Sequence, residues 1–138
     1  MLEKDVLLSK ISVIKNCLNT IRNVTGLNPD KLDDYIIQDV FVLNIQRAAQ
    51  ACIDIANLII AEKGLKLPTT YKEGFLILSQ NQIIDKSLAK KMEKMVGFRN
   101  IAVHDYQPIN IDIIKAILSK HLQDFEIYYS VIYRYVKK

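Results

Sequence analysis

The sequence predicts an all-α fold, an antiparallel bundle of about five helices forming one domain over residues 1–138. Three observations carry this. Apolar residues recur at steps of three and four through most of the chain. Four glycines and three prolines in 138 residues are too few for the turns of an all-β fold. Half of the residues are apolar, enough to fill a core without disulfide or metal staples.

In chain order, the first helix spans about Leu2 to Val24, with Leu7, Ile11, Ile14, Leu18 and Ile21 on one face. Gly26 is placed to end it in a left-handed turn. Asn28 and Pro29 follow as N-cap and first helical residue, because proline's missing amide is no loss there. An unbroken helix from there to Lys63 would be roughly 50 Å long. A break or short lead-in is therefore expected near Asp33 to Gln38, with the main helix over about Asp39 to Lys63. The pair Asp33–Asp34 suits a helix start. Because the main helix is apolar on more than one side, it is expected to be central, or shared between a core and an oligomer interface. Gly64 closes it.

Thr70 and Glu73 have capping-box spacing, each satisfying the other's amide, ahead of a short helix from Tyr71 to about Gln80 that buries Tyr71, Phe75 and Leu78. Asp85 caps the next helix. This one turns Leu88, Met92, Met95 and Val96 inward and Lys86, Lys90 and Lys94 outward, and ends by about Asp105. Asn110 caps the last helix, Ile111 to about Val136, whose stripe is Ile114, Leu118, His121, Phe125, Tyr128, Ile132 and Tyr135.

Several chemistries are excluded. The glycines at 26, 64, 74 and 97 build no phosphate-cradling loop. His104 and His121 are the two histidines, without zincin spacing, and no paired-cysteine motif exists, so neither metal nor cofactor is expected. The stretch Ile36 to Ala61 is broken by Asp39, Arg47 and Asp54 and is not a membrane span. The opening MLEKDVLL lacks a signal-peptide pattern. Cys17 and Cys52 lie in apolar runs, as buried thiols of a reducing, cytoplasmic compartment do. A formal charge of +4 permits a nucleic-acid partner without requiring one.

One stretch stands apart. Met95 to Tyr106, MVGFRNIAVHDY, gathers Arg99, Asn100, His104 and Tyr106, with Pro108 two residues on. Arginine stays charged and its fork matches two phosphate oxygens. Histidine titrates near neutrality and can move a proton. Asn100 and His104, four apart, share a helical face, so the amide can hold the imidazole. On spacing alone, cations at a helix end are sufficiently explained by the helix dipole. His121, on an apolar stripe, suits a packed, hydrogen-bonded role. Lys86, Lys90, Lys91 and Lys94 suit a solvated face or an RNA backbone. The C-terminal tyrosines (Tyr128, Tyr129, Tyr133, Tyr135) suit a core or interface, or base stacking.

The run R-N-x-x-x-H-x-Y from Arg99 to Tyr106, with the central stretch Asp39 to Pro68 (DVFVLNIQRAAQACIDIANLIIAEKGLKLP), resembles the HEPN superfamily, and within it the HepT-like toxins of MNT–HEPN toxin–antitoxin systems. The resemblance covers most of the chain and shows no departure at the motif. It implies a homodimeric, metal-independent endoribonuclease of a type VII-like pair. Two copies of the motif would form a composite cleft, with Arg99 and His104 catalytic and Asn100 supporting. RNA would be cut through its 2′-hydroxyl, leaving a cyclic phosphate and a 5′-hydroxyl. The resemblance also implies that an MNT-type nucleotidyltransferase antitoxin transfers AMP to Tyr106. The alternative is a non-catalytic HEPN dimer that binds a nucleotidyltransferase or nucleotide.

Overall fold

The computed structural model describes residues 4–104 and 110–137, with the side chains of 99–104 outside the description. Leu2, the expected start of the first helix, lies outside it. The elements are α1 (Lys4–Thr25), a 3-10 turn (Pro29–Asp33), α2 (Tyr35–Glu62), α3 (Tyr71–Gln80), α4 (Lys86–His104), α5 (Ile111–Ala116), a π-helical turn (Ile117–His121) and α6 (Leu122–Lys137). The last three run on as one rod, so the bundle has five helical rods and, among the described residues, no strand.

Helix α1 buries the expected face, Leu7 to Ile21, against α2. Its exit is tight: Gly26 and Leu27 both have positive φ, at 59° and 62°. The Thr25 hydroxyl steadies the turn, donating to the Ile21 carbonyl at 2.7 Å and accepting from the Leu27 amide at 3.1 Å. Asn28 then accepts from the Asp30 amide, capping the 3-10 turn.

The break before the long helix falls at Asp34, in the expected window, but α2 begins at Tyr35 rather than near Asp39. One carboxylate oxygen of Asp34 accepts from the amides of Ile36 and Ile37, at 2.8 and 3.3 Å. That cap starts the helix a full turn early and gives it 28 residues, about 42 Å at 1.5 Å per residue. Asp33 instead pairs with Lys115 at 3.0 Å, tying the 3-10 turn to α5. As expected, α2 is central. Ala51, Cys52, Ile53, Ile55, Ala56, Ile59 and Ile60 are all buried, and α1, α3, α4 and α6 all pack on it. Both thiols are free and buried, and burial pushes Cys52 well above the usual thiol range.

The capping box before α3 differs from expectation. Thr70 accepts from the Glu73 amide at 3.2 Å, but Glu73 reaches back to Thr69, accepting from its hydroxyl at 2.7 Å and its amide at 3.2 Å. Those bonds, the hydroxyl first, lower the Glu73 carboxyl below its usual value. Phe75 and Leu78 are buried as expected; Tyr71 stays exposed, since it is the first residue of the helix and lies beyond the core.

The closing rod carries a fully buried cross-link. Tyr128, fully buried, donates its hydroxyl to the Cys52 carbonyl at 3.0 Å and meets the Phe75 ring edge-on at 5.8 Å. Tyr128 is therefore core; Tyr129 and Tyr135 are half-buried, under Lys15 and Lys63.

Two outcomes follow. Asp34→Ala should lower stability by about 1 kcal/mol, seen as a reduced denaturant midpoint with unchanged slope, because two amides lose their acceptor. In a pH titration by NMR, Glu73 should ionise below an ordinary glutamate, and Thr69→Val should move it back. Because its folded pKa is the lower one, Glu73 supports the fold above the ordinary carboxylate value, and that support fades as pH falls through the folded pKa.

Candidate functional site

Helix α4 is the platform of the site. Asp85 accepts from the Leu88 amide at 2.7 Å and starts it. Leu88, Ala89, Met92, Met95, Val96 and Phe98 are buried against the bundle, and Lys86, Lys90, Lys91 and Lys94 are exposed, as the sequence pattern requires. The helical backbone continues to His104. Arg99, Asn100 and His104 therefore occupy roughly its last two turns. On a regular helix positions 99 and 104 lie about 140° apart, and 100 and 104 on the same side, in line with Val96. Tyr106 and Pro108 lie outside the described residues.

Two cavities flank this end of α4. On the Val96 side, about 480 Å³ is lined by Asn57 of α2 and by residues from Pro68 to Lys72 leading into α3. On the Met95–Phe98 side, about 330 Å³ lies between α4 and the closing rod. Its lining includes Lys91 and Lys94 from α4, Ile113 and Ala116 from α5, and His121 with Asp124.

The histidine and its partner revise the sequence reading. His121 is not packed into the core stripe; its side chain is 40% exposed at the cavity edge. The π-turn Ile117–His121 adds a residue to the rod, so Leu122 takes the buried place and His121 is turned to the rim. It is hydrogen-bonded, as expected: Nδ1 lies 3.1 Å from an Asp124 carboxylate oxygen. Asp124, 2% exposed, is a residue that periodicity missed. The available signal was its i, i+3 spacing from His121. An ionised carboxylate only accepts, so Nδ1 carries the proton and Nε2 is left free of it in the neutral ring.

Among the described residues no group of three His, Cys, Asp or Glu side chains could hold a metal ion, and no helix is long and apolar enough to cross a membrane.

The fold and the motif on α4 together define a HEPN-type helical protein, and comparison with known proteins narrows the class. A family model described as ribonuclease HepT-like matches residues 14–132. The mRNA nuclease HepT of Shewanella oneidensis is 43% identical over 128 residues, 93% of this chain and 96% of that one. The tRNA nuclease HepT of Aphanizomenon flos-aquae is 27% identical, over 98% and 92% of the two chains. Among solved structures, the tri-AMPylated Shewanella oneidensis HEPN toxin in complex with MNT antitoxin superposes with a TM-score of 0.90 at 41% identity, covering 96% of this chain and 99% of that one. The cytosolic protein YutE of Bacillus subtilis, 12% identical, shares the fold with a TM-score of 0.86, over 99% of this chain and 92% of its own. The chain belongs to the ribonuclease HepT-like family.

The tautomer of His121 is open to a direct check. In 15N NMR at alkaline pH its neutral ring should carry the proton on Nδ1, and Asp124→Ala should abolish that preference, since the carboxylate is its cause.

Proposed function

We propose that this chain is a cytoplasmic, metal-independent endoribonuclease toxin, acting as a homodimer and silenced when a cognate MNT-type nucleotidyltransferase antitoxin transfers AMP to Tyr106. One observation carries the reading: the run R-N-x-x-x-H-x-Y is intact in the sequence, its first part ending α4 at His104, in a chain 43% identical, nearly end to end, to an mRNA nuclease.

Arg99 and His104 are the catalytic pair. The imidazole removes the proton of a ribose 2′-hydroxyl, and the oxygen attacks the adjacent phosphorus. The bond to the departing 5′-oxygen breaks, and a proton returned to it completes the products, a 2′,3′-cyclic phosphate and a 5′-hydroxyl. Arg99 balances the charge that builds on the phosphoryl oxygens. Asn100, on the same helical side as His104, supports the imidazole. No metal is required because the nucleophile belongs to the substrate.

The helical geometry favours two copies. Arg99 and His104 diverge by about 140° on one helix, so facing α4 ends across a two-fold axis converge on one phosphodiester more readily than a single chain does. Ile36 and Leu43, seven apart on α2 and exposed at 76% and 44%, are apolar surface that such a pair can cover.

Silencing follows from charge and volume. The Tyr106 phenol oxygen attacks the α-phosphorus of ATP, pyrophosphate leaves, and the tyrosine now bears an anionic nucleotide beside the cation meant for RNA phosphate. The relatives are in keeping with this, since the Shewanella toxin is described as tri-AMPylated and in complex with MNT antitoxin.

Two measurements test the reading. His104→Ala should keep the fold and dimer mass while RNA cleavage falls by about 10²–10⁴-fold, the range for a lost general acid–base. Intact mass after incubation with the partner and ATP should rise by one or more AMP groups, and Tyr106→Phe should prevent the gain. Normal cleavage by folded His104→Ala protein would sink the catalytic assignment. Uncut RNA with a bound partner would favour the non-catalytic dimer.

A further inference from the structure

Two features that lie apart in the sequence meet beside α4. Lys91 and Lys94 come from its exposed flank, and His121 from the π-turn of the closing rod; all three line the 330 Å³ cavity. The floor between them is apolar, formed by Met95, Phe98, Ile113 and Ile117. A bare anion would use the lysines and leave that floor unfilled. A purely apolar ligand would fill the floor and leave two ammonium groups and the outer imidazole nitrogen, Nε2, unused. A nucleotide supplies what both lack: phosphate for the cations, a flat base for the floor, and sugar hydroxyls between.

Size and position agree with this chemistry. The volume is at the small end for ligand cavities and suits a single nucleoside. Met95 lies one turn before Arg99, about 6 Å along the axis, and Phe98 immediately precedes it. A strand crossing the end of α4 reaches this cavity within about one nucleotide. The His121 ring is also held for the task. Asp124, almost fully buried, fixes the proton on Nδ1, so Nε2 is offered as a hydrogen-bond acceptor.

We infer that this cavity is a nucleotide subsite for the RNA strand next to the scissile position: Lys91 and Lys94 hold backbone phosphate, the floor takes the base, and His121 accepts a hydrogen bond from a ribose 2′-hydroxyl. The inference rests on the ribonuclease reading above. It adds a means of preferring RNA over DNA, because the 2′-hydroxyl is the group DNA lacks. Asp124 acts through His121 and is a positioning residue.

The test uses the full chain silenced by His104→Ala, with a fluorescent single-stranded RNA and its all-DNA counterpart. Lys91→Ala with Lys94→Ala should weaken both ligands about tenfold. The pair should also reduce the slope of log affinity against log salt by about 1.4, since each phosphate contact on a single strand contributes about 0.7. His121→Phe should weaken RNA by about three- to tenfold, the range for one neutral hydrogen bond, and leave DNA unchanged. Asp124→Asn should lessen the RNA preference together with the Nδ1–H signature, which loss of packing alone would not link. In the active chain the lysine pair should raise KM with little change in kcat.

Equal loss for RNA and DNA in His121→Phe overturns the 2′-hydroxyl contact. Unchanged affinity and salt slope in the lysine pair, with wild-type protein still cutting RNA, overturns the subsite while leaving the ribonuclease reading intact. If the lysine pair or His121→Phe dissociates the dimer without changing RNA affinity per chain, the cavity is a chain–chain contact and the subsite is overturned. Wild-type protein that neither binds nor cuts RNA removes the parent reading, and the subsite with it.

Discussion

The middle of α2 keeps only a narrow strip for water, through Gln50, Asp54 and Asn57. Ala51, Cys52 and Ile53 are three successive buried residues, and successive helical positions point 100° apart. Such a segment is stable only when enclosed, so the chain must set other helices around it. Helices α1, α3, α4 and α6 meet that demand. The Tyr128 hydroxyl on the Cys52 carbonyl and the Phe75 ring against Tyr128 join three of the rods at the most enclosed point. The position of α4, and of the motif it carries, follows from this enclosure. Met92, Met95 and Val96 are committed to the bundle, which decides where the next two turns emerge.

Much of this was legible in the sequence because the signals are local. Asn28, Asp85 and Asn110 cap where their side-chain chemistry says they should. Gly26 and Gly64 adopt the positive φ expected of helix-ending glycines. What could not be read depends on competition between neighbours. Asp34 and Asp39 are both acids near the start of an apolar run, and the choice of Asp34 turns on whether Tyr35 and Ile36 tolerate exposure; at 80% and 76% exposed, they do. Glu73 selects Thr69 over Thr70 because Thr69 offers it both a hydroxyl and an amide. The π-turn is invisible to a fixed period of 3.6, and with it went the placement of His121 and the burial of Asp124.

The site divides along the same line. The residue types from Arg99 to Tyr106 suited phosphate chemistry without requiring it, and spacing placed the first part of the run on a helix, where the backbone has it. The cavity beside it depends on a contact between segments fifteen or more residues apart, Lys91 to Phe98 on one side and Ile113 to Asp124 on the other. No local pattern encodes that pairing. It emerges only once α2 has arranged the helices about itself.

The π-turn also bears on how the closing rod can change length during descent. A single-residue insertion or deletion in a regular helix rotates everything beyond it by about 100°. Here the extra residue is already absorbed, and α6 is in phase with it: Phe125, Tyr128 and Ile132 all reach the core. Removing one residue between Ile117 and His121 would restore a regular helix with that phase kept, since the extra residue is what the turn absorbs, and the Tyr128 hydroxyl would stay on Cys52. The turn is therefore open both to substitution of its side chains and to loss of its extra residue, so a drifting lineage can remodel the rim of the cavity there without unseating the core.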